Sequence, residues 1–152
     1  MTPDSNLKGL ENLSEVLHIS PAAGTDHNAG EAIDHGVSAL NVDQLQNSLP
    51  NLTGKGIRIG IISDSFAHSN GVRGDKTTPA MYKSGTLTHA LNQLSGDLPA
   101  MVELRNDSSK TSNTDEGAAM AENVHDIAPG ADISFYSDQG SQVGFVEAVE
   151  DL

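Results

Sequence analysis

Two apolar rhythms alternate along the last two-thirds of this chain. Ile57, Ile59, Ile61 and Ile62 form a run interrupted only by Arg58 and Gly60, β-branched and too short for a helix. Such a run predicts a strand over 57–62, buried on both faces of a parallel sheet and therefore central in it. Apolar clusters at 101–104 and 133–136 predict two more strands. Elsewhere the spacing turns helical. Met120, Val124, Ile127 and Ala128 make one face of a helix over 116–127 that Pro129 and Gly130 stop, and Phe145, Val146, Val149 and Leu152 mark another from Val143 onward. Shorter helical stretches are predicted at 37–49 and, more weakly, at 81–94. Strand, helix, strand, helix is the order of an α/β fold whose parallel strands are joined by right-handed crossovers.

The first fifty residues read differently. Leu7, Leu10, Leu13 and Leu17 fall near helical spacing, but residues 21–30 have the Pro, Gly, Asn and Asp content of a linker. Residues 1–36 are therefore expected to be a mobile leader and 37–152 the folded part. The chain ends within the apolar pattern of its last helix, so a truncated domain is expected, with an open apolar sheet edge and poor solubility when expressed as it stands.

Charge narrows the partners. With 21 acidic and 8 basic residues the formal net charge is -13, which repels nucleic acid and anionic membrane surfaces, and neither is an expected partner. No apolar run approaches the ~18 residues of a membrane span. Met1 is followed by Thr2, Pro3, Asp4, Ser5 and Asn6 rather than by a basic and then apolar signal segment. The absence of cysteine excludes disulfides, thiolate zinc sites and a cysteine nucleophile.

Two carboxylates stand where such folds gather reactive groups. Asp64 follows the first strand and Glu116 opens the 116–127 helix; ligands collect beyond the carboxyl ends of parallel strands and at helix N-termini. Glu116 lies four residues before Met120 and is expected to point with the apolar stripe, where burial and the helix terminus act on its proton affinity in opposite directions. A general base or proton carrier needs such tuning. Each residue also has a structural reading, Asp64 as a turn former and Glu116 as the far end of a capping box begun by Asn113. Glu122 reads as a solvated charge. His125 is nine residues from Glu116, about 13 Å along the helix and on the opposite face, so it cannot replace Glu116. His68 follows Asp64 in a loop where simple exposure is the common fate. His18, His27 and His35 lie in the leader without metal-ligand spacing, and His89 is read as a surface residue. The glycines Gly54, Gly56 and Gly60 precede their strand instead of following it, which rules out a dinucleotide fingerprint. Asn12, Asn51 and Asn106 begin glycosylation-type triplets that are common by chance.

A family resemblance joins these residues. Leu52-Thr53-Gly54-Lys55-Gly56, the strand after it, and Ser63-Asp64-Ser65 resemble the subtilase stretch leading to the catalytic Asp. Glu116-Gly117 followed by Ala128-Pro129-Gly130-Ala131 resembles the subtilase pattern from the catalytic His-Gly to a Val-Ala-Pro-x-Ala turn. The likeness covers about 37–152 and implies the N-terminal part of a subtilisin-like three-layer αβα domain with a parallel sheet. It implies a serine-type endopeptidase acting on polypeptide substrates, in a secreted or cell-envelope setting. By it Asp64 takes the catalytic Asp position, and Glu116 stands where most of the family has His. A Glu there is similar to the sedolisins, which work in acid, although Met120 stands where those carry an Asp one turn later.

The family's nucleophile, in a Gly-Thr-Ser segment, and its oxyanion Asn have no counterpart in these 152 residues, and Ser65 and Ser137 lack a nucleophile-elbow context. The chain alone is accordingly expected to be inert. No cofactor is implied; structural calcium occurs in the family, but no Asp-x-Asp-x-Asp-Gly loop is visible. The alternative is a non-catalytic subtilase-like binding or structural module. A phosphatase using Asp64 as nucleophile would want a second Asp two residues on, where Phe66 stands.

Overall fold

The computed structural model describes residues 36–68, 84–88, 90–110 and 112–152. The leader with its leucine pattern, the start of the 81–94 stretch, and His18, His27, His35 and His89 lie outside the described residues. Helices α1 (Gly36–Ala39) and α2 (Val42–Ser48) replace the single helix expected over 37–49. The break falls at Asn41, whose backbone is left-handed (φ 55°, ψ 31°), a conformation that Asn tolerates and a continuous helix does not.

A four-stranded sheet forms the frame, built from β1 (Arg58–Ser63), β2 (Gly85–Leu87), β3 (Val102–Asn106) and β4 (Asp132–Ser137) in the order β1-β4-β3-β2. Strands β1, β4 and β3 run parallel, and β2 pairs antiparallel with β3. Helices α3 (Leu91–Ser95), α4 (Glu116–Ile127) and α5 (Gln142–Asp151) complete a mixed α/β fold. The weak helix expected over 81–94 is instead β2 followed by the five-residue α3; its short apolar cluster fitted either period.

Among the described residues strand β1 is not central. It lies at one end of the described sheet, and only Ile61 and Ser63 are fully buried along it, while Arg58 and Gly60 are exposed. An apolar run records that side chains seek burial and does not record how many strands flank them. Paired residues share a face, so Ile61, Phe135 and Leu104 point together into one core with Leu87, Val102 and Ile133. Phe66 closes it, its ring 5.1 Å from that of Phe135 and tilted by 53°.

Helix α4 covers this core, but not with the stripe its sequence indicated. Gly117, Ala118 and Ala121 are buried, with Val124 packed beside them, whereas Met120 is 42% and Ile127 37% exposed. Close approach is the reason. A Cβ on Gly117 would lie 2.4 Å from the Phe135 ring and 2.7 Å from the Ser65 carbonyl, so small residues must face the sheet and the large ones turn outward.

On the other sheet face Leu152 sits over Gly60, and α5 turns Gly144 and Ala148 inward. Its larger residues Val143, Phe145, Val146 and Val149 are exposed, so the apolar pattern of α5 is mostly an outward one. The same sheet face carries an ion-pair chain in which Arg105 binds both Asp151 (2.8 Å) and Glu103 (3.0 Å), and Arg58 lies 3.4 Å from Glu103.

The two segments that carry the resemblance pack on each other. Gly130 N–H donates to the Thr53 carbonyl at 2.7 Å, and Gly54, at φ +79°, sits where a Cβ would meet those of Ala128 at 3.0 Å and Ala131 at 3.2 Å. The Thr53-Gly54 turn thereby aligns the start of β1 with the start of β4, where Asp132 N–H donates to the Ile57 carbonyl. No helix among the described residues is long and apolar enough to cross a membrane.

Candidate functional site

Each of the three parallel strands ends in a short polar residue followed at once by Asp: Ser63-Asp64, Asn106-Asp107 and Ser137-Asp138. All three aspartates are buried, as is Asp115 just before α4. At the carboxyl end of a parallel strand the chain must turn into a loop whose N–H groups have lost their ladder partners, and a carboxylate there can accept several of them. Only Asp64 of this set was singled out from sequence. The repeated strand-polar-Asp sequence was the legible signal for the other two.

Asp64 meets the backbone of Glu116, and this contact is not the sharing of one groove by their two side chains that was expected from the sequence. The Glu116 N–H donates to Asp64 Oδ1 at 3.2 Å, and the Ser63 hydroxyl donates to Glu116 Oε2 at 2.8 Å. Asp64 Oδ1 also accepts the Ser65 hydroxyl at 3.2 Å, and Oδ2 accepts both the N–H (2.8 Å) and the hydroxyl (3.0 Å) of Thr114. Burial pushes the Asp64 carboxyl up, but the donors of Thr114 and Ser65 together outweigh it and hold the group below its ordinary value. Asp64 is therefore a fixed anion, already filled with donors, at the start of α4.

That start is capped from a distance. The N-cap Asp115 has a left-handed backbone (φ 60°) and makes no cap bond to its own helix with its side chain. Instead the loop after β1 serves the helix: Asp115 N–H goes to Ser65 Oγ, Glu116 N–H to Asp64, and Gly117 N–H to the Ser65 carbonyl. Reciprocally, Asp115 Oδ1 accepts the His68 N–H at 2.8 Å and, at 3.0 Å, shares with Asp64 the single proton of the Ser65 hydroxyl. The capping box expected from Asn113 and Glu116 does not form; Asn113 donates its amide to the Asp64 carbonyl. Glu116 is half-buried at the rim, through Ser63 and Asp64 rather than through the core stripe of α4.

Asp107 holds the next part of the same loop. It accepts the N–H groups of Phe66 and Ala67, each at 3.0 Å, and that of Ser108 at 2.8 Å. Burial raises its carboxyl above the ordinary value despite these bonds and the nearby His68. His68 is not simply exposed: its ring Nε2–H donates to the Ser108 carbonyl. Asp138 closes its own turn by accepting the Gly140 N–H at 2.7 Å.

Other residues fall away from this centre. Glu122 accepts the Asn92 amide on the α3 side of α4. His125 Nδ1 is buried without a hydrogen-bond partner, and desolvation lowers the ring's proton affinity more than Asp97 raises it. Two cavities, of about 460 Å³ beside Thr86, Arg105 and Tyr136 and of about 480 Å³ beside Leu49 and Leu52, are lined by neither Asp64 nor Glu116. Among the described residues no three His, Cys, Asp or Glu side chains converge as a metal-binding group.

The arrangement can hold a carboxylate, Glu116, at a defined place beside Asp64, whose charged form is favoured by its donors, at the rim of the sheet's carboxyl end. The chain matches no protein-family model, no curated protein and no solved structure.

Proposed function

We propose that this chain forms the acidic half of a serine peptidase site on a subtilisin-like αβα scaffold, Glu116 acting as the proton-transfer group and Asp64 as the anion that orients it. The observation that carries this reading is the meeting of the two residues, joined at 3.2 Å through the Glu116 N–H, at the carboxyl end of a parallel strand. The geometry favours an orienting role for Asp64 over proton sharing, because the three donors it does not share, the Thr114 N–H and hydroxyl and the Glu116 N–H, all favour the charged form.

Ser63, whose hydroxyl meets Glu116, is 2% exposed and out of reach of a substrate carbonyl. The attacking serine and the oxyanion donors would come from a segment other than those described, and the 152-residue chain by itself would be inert. The polypeptide substrate and the acid working range rest on the family resemblance alone.

Peptide cleavage by the full-length protein, measured against pH, tests the reading. Glu116→Gln is expected to lower kcat by about a hundredfold or more. Cleavage undiminished in that variant removes Glu116 from the mechanism.

One observation favours a second reading, a scaffold that binds or supports without catalysis. The Thr53-Gly54 and Ala128-Pro129-Gly130-Ala131 segments hold each other in place, and Asp64 and Ser65 hold the start of α4, so these motifs have structural employment whether or not a bond is cleaved. Under that reading the full-length protein cleaves no peptide and Glu116→Gln changes only stability.

A further inference from the structure

Glu116 is held by two consecutive residues of one turn. Asp64 takes its backbone N–H, and Ser63 takes its carboxylate through a 2.8 Å bond to Oε2. Ser63 is the last residue of β1 and lies on the same sheet face as Ile61, the face that α4 covers. Its hydroxyl is enclosed between strand and helix. A hydroxyl donating to a carboxylate belongs to the stronger class of hydrogen bond, and burial shields this one from competing water.

A glutamate has three side-chain torsions, and a short, directed hydrogen bond to its carboxylate restricts them. Proton transfer requires such restriction, a carboxylate held within a fraction of an ångström of its partner.

We propose that Ser63 is the positioning residue for Glu116, its buried hydroxyl fixing the direction of the carboxylate; the role as a positioning residue rests on Glu116 being the proton-transfer group proposed above. Ser63 does not attack substrate. It sets which way the carboxylate faces, and Asp64 supplies the backbone half of the same clasp.

The bond and its use can be tested separately. In the 152-residue chain labelled with ¹³C at glutamate carboxyls, the Glu116 resonance, identified by its loss in Glu116→Gln, is read at neutral pH as a report of the bond. Ser63→Ala, which needs no extra room and keeps the backbone pairing, is expected to move that resonance toward those of the solvent-exposed glutamates, because the carboxylate loses a donor. Ser63→Thr, which keeps the hydroxyl, is expected to hold the resonance near that of the unmodified chain. A resonance unmoved in Ser63→Ala, or moved equally in both variants, overturns the bond.

In the full-length protein Ser63→Ala is expected to lower kcat about tenfold with little change in KM, and Ser63→Thr to restore most of it. If Glu116→Gln leaves cleavage intact, the peptidase reading falls and Ser63 loses its positioning role in it, whatever the resonance gives. If Glu116→Gln abolishes cleavage and Ser63→Ala leaves kcat unchanged, the positioning role alone falls.

Discussion

Asp64 and Asp107 occupy matching places, each one residue beyond a parallel strand and each buried, and each ties a loop by accepting backbone N–H groups. Their proton affinities nevertheless move apart, that of Asp64 downward and that of Asp107 upward. The two differ in what surrounds the carboxylate. Asp64 receives two hydroxyls besides its N–H donors and sits beside Thr114, which is exposed; Asp107 receives three N–H groups in the loop that Phe66 and Ala67 fold over it, at 3% exposure. Burial penalises the charged form in both, more heavily at the more deeply enclosed Asp107, and the balance between that penalty and the donors sets the direction. Position in the fold therefore selects where an Asp is useful, and depth of burial against donors selects what state it keeps.

This comparison breaks most readily at Asp107. Asp107→Ala would leave the Phe66, Ala67 and Ser108 N–H groups without their acceptor, at a cost of about 4 kcal/mol from roughly 1–3 kcal/mol per unsatisfied buried donor. Urea unfolding of the chain would read it as a lower midpoint at unchanged slope, and a change under about 1 kcal/mol would mean that water replaces the carboxylate. Asp64→Ala should cost less, about 2 kcal/mol, because Thr114 is exposed and its donors can turn to water. The damage should be local to the start of α4, visible as faster amide exchange at Glu116 while the β3–β4 pairing keeps its protection.

The smallest effects are those of pH, and they sharpen the contrast because their signs oppose. The lowered Asp64 stabilises the fold above its unfolded value near 3.8, a contribution lost as pH falls through the lower folded value. The raised Asp107 stabilises the fold below its own unfolded value near 3.8, a contribution lost as pH rises through the higher folded value. Relative to the unmodified chain, Asp64→Asn should thus lose less stability as pH falls below about 4, and Asp107→Asn should lose less as pH rises from about 4 towards neutrality. Parallel stability curves for the two variants would show that the two sites do not differ in this way.

The α/β order was legible because it rests on local periodicity: helix α4 and strands β1, β3 and β4 all stand within a residue or two of their predicted limits. Asp64 and Glu116 were legible as neighbours because a strand end and a helix start in such a fold face the same rim. The bonding roles of Ser63 and Ser65 were not legible, and Asp107 was legible only as an Asp after a strand, since their partners depend on which loops the sheet brings side by side: Ser65 meets Asp115 fifty residues away and Asp107 meets Phe66 forty-one residues away. Met120 misled for a related reason. Its hydrophobicity argued for burial, but the distance between α4 and the sheet admits Gly117 and Ala121 and excludes a longer side chain.

Sequence alone, then, determined the kinds of element, their order and the two acids that mark the ends of β1 and α4, because backbone periodicity and turn chemistry act over a few residues. Tertiary structure decided that β1 lies at an end of the described sheet, which face of α4 is buried, and that Asp64 is a filled anion while Ser63 holds Glu116. Those outcomes depend on distances between segments far apart in the chain, and hydrogen-bond donors become partners only once packing has brought them within about 3 Å.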